Sequence, residues 1–209
     1  PYTIGAGDRC STFGSTARDW AGRARRKLAA CESRQIAREL WRGDVARAND
    51  WSNRYFANNF GDDGADVISD AGGETAVNAL AMLEGALASC GCGERGMIHV
   101  TPQTAQMLFQ AQAIRFESPY LLTAMGTIIV ADAGYDGSGP NLDPGGAPVA
   151  PGNVWAYATS MVYIRRAPVV VLPGTMAEAI NRTTNTVEVR AERTAAAYFG
   201  CCLFAAELT

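Results

Sequence analysis

The sequence is poor in several residues that catalytic sites and nucleic-acid-binding surfaces commonly use. Its 209 residues include one lysine, Lys27, and one histidine, His99. A net charge of −3 is unlike the strongly basic balance of a general nucleic-acid binder. No apolar run approaches the roughly 18–20 residues that a membrane-spanning helix needs, and no signal peptide is visible. With 48% hydrophobic residues, the chain is expected to fold as a globular protein with its own core.

Recognisable catalytic and metal-binding motifs are missing as well. A Ser–His–Asp or Cys–His site would have to use His99, but no G-x-S-x-G motif accompanies it, so we interpret His99 as a strand residue hydrogen-bonded to a neighbour. Cys90 and Cys92 form a C-x-C pair, yet a zinc site needs a second close pair, and the adjacent Cys201 and Cys202 are awkward for chelating one ion. We therefore expect reduced thiols, no metal or other cofactor, and no enzymatic activity.

A long segment rich in glycine and proline, residues 132–153, predicts a loop. It contains Asp132, Asp136 and Asp143, but it lacks the alternating oxygen ligands and the closing glutamate of a calcium-binding loop. Its G-x-x-G-x-G run is not followed by a helix that could receive a phosphate group. We interpret the aspartates as turn-forming residues.

The first part of the chain predicts one long helix over residues 16–42, because apolar residues recur there every three or four positions. Ser15 or Thr16 would cap it, Asp19 would lie in its first turn, and Gly43 would end it. At 1.5 Å per residue the helix would be about 40 Å long.

Arginine supplies nearly all of the positive charge, because Lys27 is the one lysine among eighteen basic residues. The forked guanidinium group of arginine suits contacts with carboxylates at protein interfaces. Within the first helix, Asp19, Glu32 and Glu39 are interleaved with the arginines. This mixture favours contacts with protein over contacts with nucleic acid.

The remainder of the chain alternates between predicted helices and strands. A second helix is expected at residues 74–90, and a third runs from Pro102, after a Thr101 cap, to about residue 113. The inward residues of the second helix are expected to be Val77, Leu80, Leu83 and Leu87. Strands are expected at residues 97–100, 126–131, 154–165, 169–172 and 185–193, with a short helical turn at 174–181. After the alternating pattern of 185–193, the continuously apolar residues 195–206 predict a strand covered on both faces.

Three stretches, taken in order, carry a resemblance to a known family. The first stretch is the long helix at residues 16–42, which ends in ELWR. The second consists of the helix–strand run at residues 76–108, which ends in TPQTAQML, and of residues 122–140, LLTAMGTIIVADAGYDGSGP. The third is residues 186–208, which contain VRAERTAAAYF. They resemble, respectively, the spine helix, the axial domain and the final peripheral-domain strands of the major capsid proteins of tailed phages. Encapsulin shells share that fold.

The resemblance implies an α+β fold with a long spine helix, a peripheral domain and an axial domain. The implied divisions are an N-terminal arm remnant at residues 1–15, the spine helix with the first part of the peripheral domain at 16–75, the axial domain at 76–180, and C-terminal peripheral strands at 181–209. The loop 132–153 would lie near a five- or six-fold axis. Some relatives crosslink subunits through a hairpin lysine and an asparagine; with Lys27 inside the first helix, we expect no such crosslink.

The resemblance further implies a structural capsid protein that self-assembles, as hexamers and pentamers, into the icosahedral head of a tailed bacteriophage. Its implied partners are copies of itself, decoration or scaffolding proteins, and double-stranded DNA enclosed without sequence-specific binding, with no membrane involved. The implied location is the virion, after assembly in the host cytoplasm. The alternatives are an encapsulin-like compartment shell, another virion structural protein, and a hydrolase using His99. The expected assembly residues are Arg18, Arg25, Arg38, Tyr135, Asp136 and Arg190.

Overall fold

A computed structural model describes residues 1–11, 19–51, 55–58, 64–69, 72–91, 96–140, 154–200 and 202–209 of the chain. These residues form two compact units, each made from segments that are distant in the sequence. The first unit consists of Pro1–Ile36 and Ile164–Ala197, and the second of Ala37–Tyr163 and Tyr198–Thr209.

Helices and strands are interspersed along the described residues, as expected for an α+β protein. The helices are α1 (Trp20–Arg42), α2 (Asp44–Ala48), α3 (Ala76–Cys90), α4 (Pro102–Gln110) and α5 (Met176–Ala179). The strands are β1 (Tyr2–Ser11), β2 (Asp66–Val67), β3 (Met97–Val100), β4 (Ile114–Glu117), β5 (Tyr120–Thr123), β6 (Ile128–Ala131), β7 (Val154–Thr159), β8 (Tyr163–Arg166), β9 (Val170–Leu172), β10 (Ile180–Asn181), β11 (Thr186–Tyr198) and β12 (Leu203–Leu208).

The first unit is built around β11, which has neighbours on both edges. Strand β1 pairs with it antiparallel over ten residues, from Tyr2 opposite Ala195 to Ser11 opposite Thr186. Strands β8, β9 and β10 pair with it along the other edge. Most of the segment expected as an arm remnant is therefore a full strand of this sheet.

One face of this sheet packs against α1. The side chains of β11 alternate, so that Val187 and Val189 are buried while Glu188 and Arg190 are exposed. The predicted half-buried strand is confirmed. The buried residues of the resulting core are Ile4, Trp20, Ala24, Leu28, Ile36, Ala179, Val187, Val189, Ala191 and Ala195.

The second unit contains a sheet with the strand order β2–β12–β7–β3–β6–β5–β4. Strand β12 runs antiparallel to β7, and β3 runs parallel to β6. Leu83 of α3 and Leu108 of α4 pack onto the sheet beside Ile98. The predicted start of α4 is confirmed, because the Thr101 hydroxyl accepts the Thr104 N–H at 3.1 Å and Pro102 occupies the first helical position.

The start of α1 differs from the prediction. Asp19 lies just before the helix, and its Oδ1 accepts the Gly22 N–H at 3.0 Å, so it caps the helix. The expected caps Ser15 and Thr16 lie outside the described residues. Gly43 ends the helix as predicted, with a φ of 60° that glycine adopts more easily than other residues.

Three other predictions were wrong. Val77 is 45% exposed, because α3 turns Ala79, Leu80 and Leu83 towards the core. Residues 195–206 are not one strand: β11 ends at Tyr198, and β12 begins at Leu203 in the other sheet. Residues 154–165 are not one strand either: β7 ends at Thr159, and β8 begins at Tyr163 in the other sheet. In addition, the hairpin formed by β4 and β5 was not predicted.

The cysteines also differ from the prediction. Cys90, at the end of α3, forms a disulfide with Cys202, just before β12, across a sequence separation of 112 residues. The pairing was not visible in the sequence because it depends on how α3 packs beside β12. Cys10 and Cys31 are free thiols, and Cys92 and Cys201 lie outside the described residues.

Candidate assembly surfaces

The exposed face of α1 in the first unit is basic. The side chains of Arg23, Arg26 and Lys27 are 47%, 68% and 51% exposed, and Arg25 is exposed beside them. Arg26 bonds to Asp19 at 3.0 Å, and this hydrogen bond lowers the pKa of the Asp19 carboxyl. Among the described residues, Arg25 has no carboxylate within ion-pair distance. The expected assembly residue Arg18 lies outside the described residues.

Two buried carboxylates hold the elements of the first unit together. Asp8 of β1, whose side chain is 2% exposed, contacts Arg23 at 3.0 Å and also Lys27. Glu32 of α1 accepts hydrogen bonds at 3.1 Å from both Arg166 and Arg193. Because each carboxylate meets two cations, its burial is compensated.

The sheet face pointing away from α1 carries paired charges of both signs. Arg9 lies 2.9 Å from Glu188, and Arg190 lies 3.1 Å from Glu192. The predicted mixture of charges on Glu188, Arg190 and Glu192 therefore occupies one wet surface. Exposed pairs of this kind contribute about 0–1 kcal/mol each, so they affect geometry and specificity more than stability.

In the second unit, the end of α1 is tied to α2 and to the loop after β6. Glu39 accepts the N–H groups of Val45 and Ala46 at 2.8 and 3.0 Å, and burial raises its pKa. Arg38 bonds to Asp44 at 2.7 Å. Glu39 is thus a cap for α2, and the carboxylate that Arg38 contacts is that of Asp44.

The described part of the glycine-rich loop, residues 132–140, is held in place by polar contacts. Asp136 meets Arg42 at 3.0 Å and accepts the Ser138 N–H at 3.0 Å. The Ser138 carbonyl accepts from the Trp41 indole N–H at 3.1 Å and from the Tyr157 hydroxyl at 3.0 Å. Asp136 therefore forms a turn, as predicted, and the same is true of Asp132, which accepts the Gly134 N–H.

His99 lies inside the second unit, 1% exposed. Its Nδ1 lies 3.0 Å from the Tyr135 hydroxyl, and its Nε2 lies 3.0 Å from Thr159 Oγ1. Because the Thr159 hydroxyl donates to the Ser160 carbonyl at 2.7 Å, it accepts from His99. The imidazole is therefore the Nε2–H tautomer, and Tyr135 donates to Nδ1.

Burial fixes the protonation of this cluster. It lowers the pKa of His99 to about 3 and raises the pKa of Tyr135, so the histidine is neutral and the tyrosine keeps its proton. Phe56 stacks over the imidazole with ring centroids 4.4 Å apart. The interpretation of His99 as a strand histidine bonded to neighbours is confirmed, and its environment is that of a core residue.

Large apolar side chains remain exposed on both units. In the second unit, the β4–β5 hairpin and the turn after it expose Phe116 by 63%, Tyr120 by 52% and Met125 by 82%. In the first unit, β9 exposes Val170 and Leu172. Sequence reasoning missed these residues, although the aromatic pair flanking Ser118-Pro119 is a recognisable hairpin signal. By the register of the hairpin, Phe116 and Tyr120 lie on its opposite faces, so apolar side chains are exposed on both of them.

The structure separates the expected assembly residues. Arg25 and Arg190 lie on different surfaces of the first unit, and Arg38 and Asp136 are both in the second unit. Tyr135 is 6% exposed, so its side chain belongs to the core of the second unit.

Searches for two other kinds of site returned nothing within the described residues. No cluster of three or more histidine, cysteine, aspartate or glutamate side chains is placed to hold a metal ion. None of the described helices has both the length and the apolar character to cross a membrane.

Comparison with known proteins identifies the fold. No protein-family model matches the sequence, and no curated protein matches it either. The encapsulin complex of Synechococcus elongatus matches with a TM-score of 0.58 at 11% identity, over 98% of this chain and 72% of that one. Microbacterium phage Oxtober96 matches with a TM-score of 0.56 at 15% identity, over 100% and 72%. The capsid of an empty GTA particle matches with a TM-score of 0.58 at 12% identity, over 99% and 77%.

These matches cover both units and the long first helix. The chain therefore has the fold that phage major capsid proteins share with encapsulin shells, and the expected fold class is confirmed. At 10–15% sequence identity, the structural similarity establishes the fold of this chain.

Proposed function

We propose that this protein is a structural major capsid protein that self-assembles into the icosahedral head of a tailed bacteriophage. The observation that carries the proposal is the match of nearly the whole chain to phage and encapsulin shell structures. On this proposal the protein is not an enzyme and works in the virion, after assembly in the cytoplasm of the host.

The surfaces of both units support self-association. A shell subunit needs extended contact areas, and such areas combine apolar anchors with polar rims. Phe116, Tyr120 and Met125 provide apolar anchors on the second unit, and the charge pairs around Arg190 provide a polar surface on the first. We assign the contacts between copies, in hexamers and pentamers, to these surfaces.

Four of the expected residues keep a proposed role at contacts between copies: Arg25, Arg38, Asp136 and Arg190, whose charges reach the surface. Tyr135 acts from the core, because it supports the loop that carries Asp136. We propose that this loop lies near a five- or six-fold axis and that the second unit is the axial domain, with the first unit as the peripheral domain. Decoration or scaffolding proteins remain proposed partners.

An encapsulin-like compartment is the second candidate, because an encapsulin matches this chain as well as the phage structures do. The two candidates differ in their contents, since one encloses double-stranded DNA and the other encloses protein.

Electron microscopy of particles from the native source, together with their nucleic-acid content, tests both. Closed shells containing DNA are the expected result. Closed shells containing protein instead would support the compartment, and a discrete monomer or small oligomer under all assembly conditions would refute both. A Phe116→Asp variant should fail to form particles. Val77→Asp serves as the control, because Val77 is also an exposed apolar residue, at 45% against 63% for Phe116, and lies on α3.

A further inference from the structure

The exposed face of α1 in the first unit carries a row of basic side chains. Arg23, Arg26, Lys27 and Arg34 occupy positions i, i+3, i+4 and i+11 of the helix, so they lie within roughly 100° of its circumference. From Arg23 to Arg34 they span about 16 Å along the axis. We call these four residues the basic face.

The acidic residues of α1 do not neutralise this face. From the sequence, Asp19, Glu32 and Glu39 favoured contacts with protein. In the structure, Glu32 is 7% exposed and bonded to Arg166 and Arg193, while Glu39 caps α2. Only Asp19 remains at the surface, where it contacts Arg26.

The carboxylate of Asp8 lies beneath the basic face. Asp8 is 4% exposed and contacts Arg23 and Lys27 from the sheet side. One buried carboxylate thus meets two cations whose outer parts stay in water. Arg34 is exposed, and among the described residues no carboxylate lies within ion-pair distance of it.

The side chains between the cations are small. Ala30 is exposed among them, and the exposed residues that border the face on one side are Ala29 and Ser33. Contacts between proteins usually rely on aromatic or large aliphatic anchors, which this face lacks. A phosphate backbone needs no such anchor, since it is bound by arginine and lysine without reference to sequence.

We infer that the basic face of α1 binds the phosphate backbone of duplex DNA without sequence specificity. The inference rests on the proposed function for duplex DNA as the natural partner. The basic face has four cations against two carboxylates, Asp8 and Asp19, so it keeps a net positive charge in a chain of net charge −3. On the opposite sheet face the charges balance, because Arg9 and Arg190 meet Glu188 and Glu192.

The test measures binding of the full-length, unassembled chain to a fluorescent duplex of random sequence by anisotropy, between about 50 and 200 mM salt. Three or four phosphate contacts give a slope of log K against log salt of about −3 to −4. The double variant Arg26→Gln with Arg34→Gln should reduce that slope by about two, and glutamine keeps the helix propensity of the site. The control is Arg9→Gln with Arg182→Gln, which removes the same charge from exposed sites outside α1.

The inference is overturned if the wild type shows no salt-dependent binding, or if the control variant loses as much slope as the α1 variant. It is also overturned if polyglutamate competes as well as duplex DNA at equal charge, because the face would then be a docking surface for acidic peptides. Electron microscopy of the same preparations separates the two proposals. Closed shells without DNA binding refute this inference alone, and DNA binding without shells refutes the proposed function alone.

Discussion

Acidification should destabilise the second unit through His99. Burial lowers the pKa of His99 in the folded chain to about 3, whereas the unfolded chain binds the same proton at 6.5. Below pH 6.5 the unfolded state therefore gains a proton that the folded state excludes. The contribution of neutral His99 to stability is complete above that pH and is lost progressively as the pH falls to about 3.

The size of the loss follows from the pKa shift. Each pH unit inside the window costs about 1.4 kcal/mol. Going from pH 7 to pH 4.5 therefore removes about 2–3 kcal/mol, and going to pH 3 removes about 4 kcal/mol. A domain is commonly stable by about 5–15 kcal/mol, so the loss is a large fraction of the total.

Urea denaturation of the unassembled chain across this pH range measures the effect, with tryptophan fluorescence as the readout. Trp41 reports on the second unit, because its ring lies 4.8 Å from the ring of Tyr135. His99→Gln is the reference variant, since glutamine does not titrate. Titration of Glu39, whose pKa is raised by burial, acts with the opposite sign but occurs in both proteins and cancels in their difference.

The free energy of unfolding of the wild type should thus approach that of His99→Gln by about 2–3 kcal/mol between pH 7 and pH 4.5. A difference that stays constant over this range would refute the reasoning. An imidazole that titrates near pH 6.5 in NMR spectra of the folded protein would do so equally, because it would show that the ring is not desolvated.

Three further predictions concern stability. Cys202→Ser should lower the free energy of unfolding by about 2–5 kcal/mol, because the disulfide to Cys90 closes a loop of more than a hundred residues; a reductant should lower the Tm of the wild type but not of this variant. Gly43→Ala should cost about 2 kcal/mol or more by calorimetry, since a Cβ at φ 60° would collide with the ring of Tyr55, and an unchanged Tm would contradict the geometry. Asp8→Asn should cost about 1.5–3 kcal/mol in urea denaturation at neutral pH, where it removes the charge that two cations share; equal stability of the two proteins would mean that the buried carboxylate contributes nothing.

Local patterns of the sequence predicted several elements well. The three-to-four-residue spacing of Trp20, Ala24 and Leu28 predicted α1 because a helix with one buried stripe requires that spacing. The Thr101-Pro102 pair predicted the start of α4 because the cap and the first helical position need those residue types. Each of these signals lies within one or two turns of the chain.

Features that depend on distant segments were not predictable in the same way. Residues 195–206 read as one apolar strand, and only the pairing of β12 with β7 shows where the chain leaves one sheet for the other. The Cys90–Cys202 disulfide and the burial of Tyr135 are likewise products of packing between remote segments. The sequence predicted that Glu32 and Glu39 lie among the arginines of the first helix as contacts for another protein. Their hydrogen-bond partners instead lie on other elements of this chain, which the pattern within the helix does not reveal.

The order in which the strands are synthesised has a consequence for how the chain matures. β1 leaves the ribosome long before its partner β11 emerges, and β7 lacks one neighbour until β12 follows. Neither sheet can close while most of the chain is being translated, so both units fold late and through contacts of large sequence separation. A chain cut short before Leu203 would present an open edge on β7 and the apolar core behind it, which favours aggregation and recognition by proteases. Closure of the two sheets therefore depends on β11 and β12, two strands that are synthesised after most of the described chain.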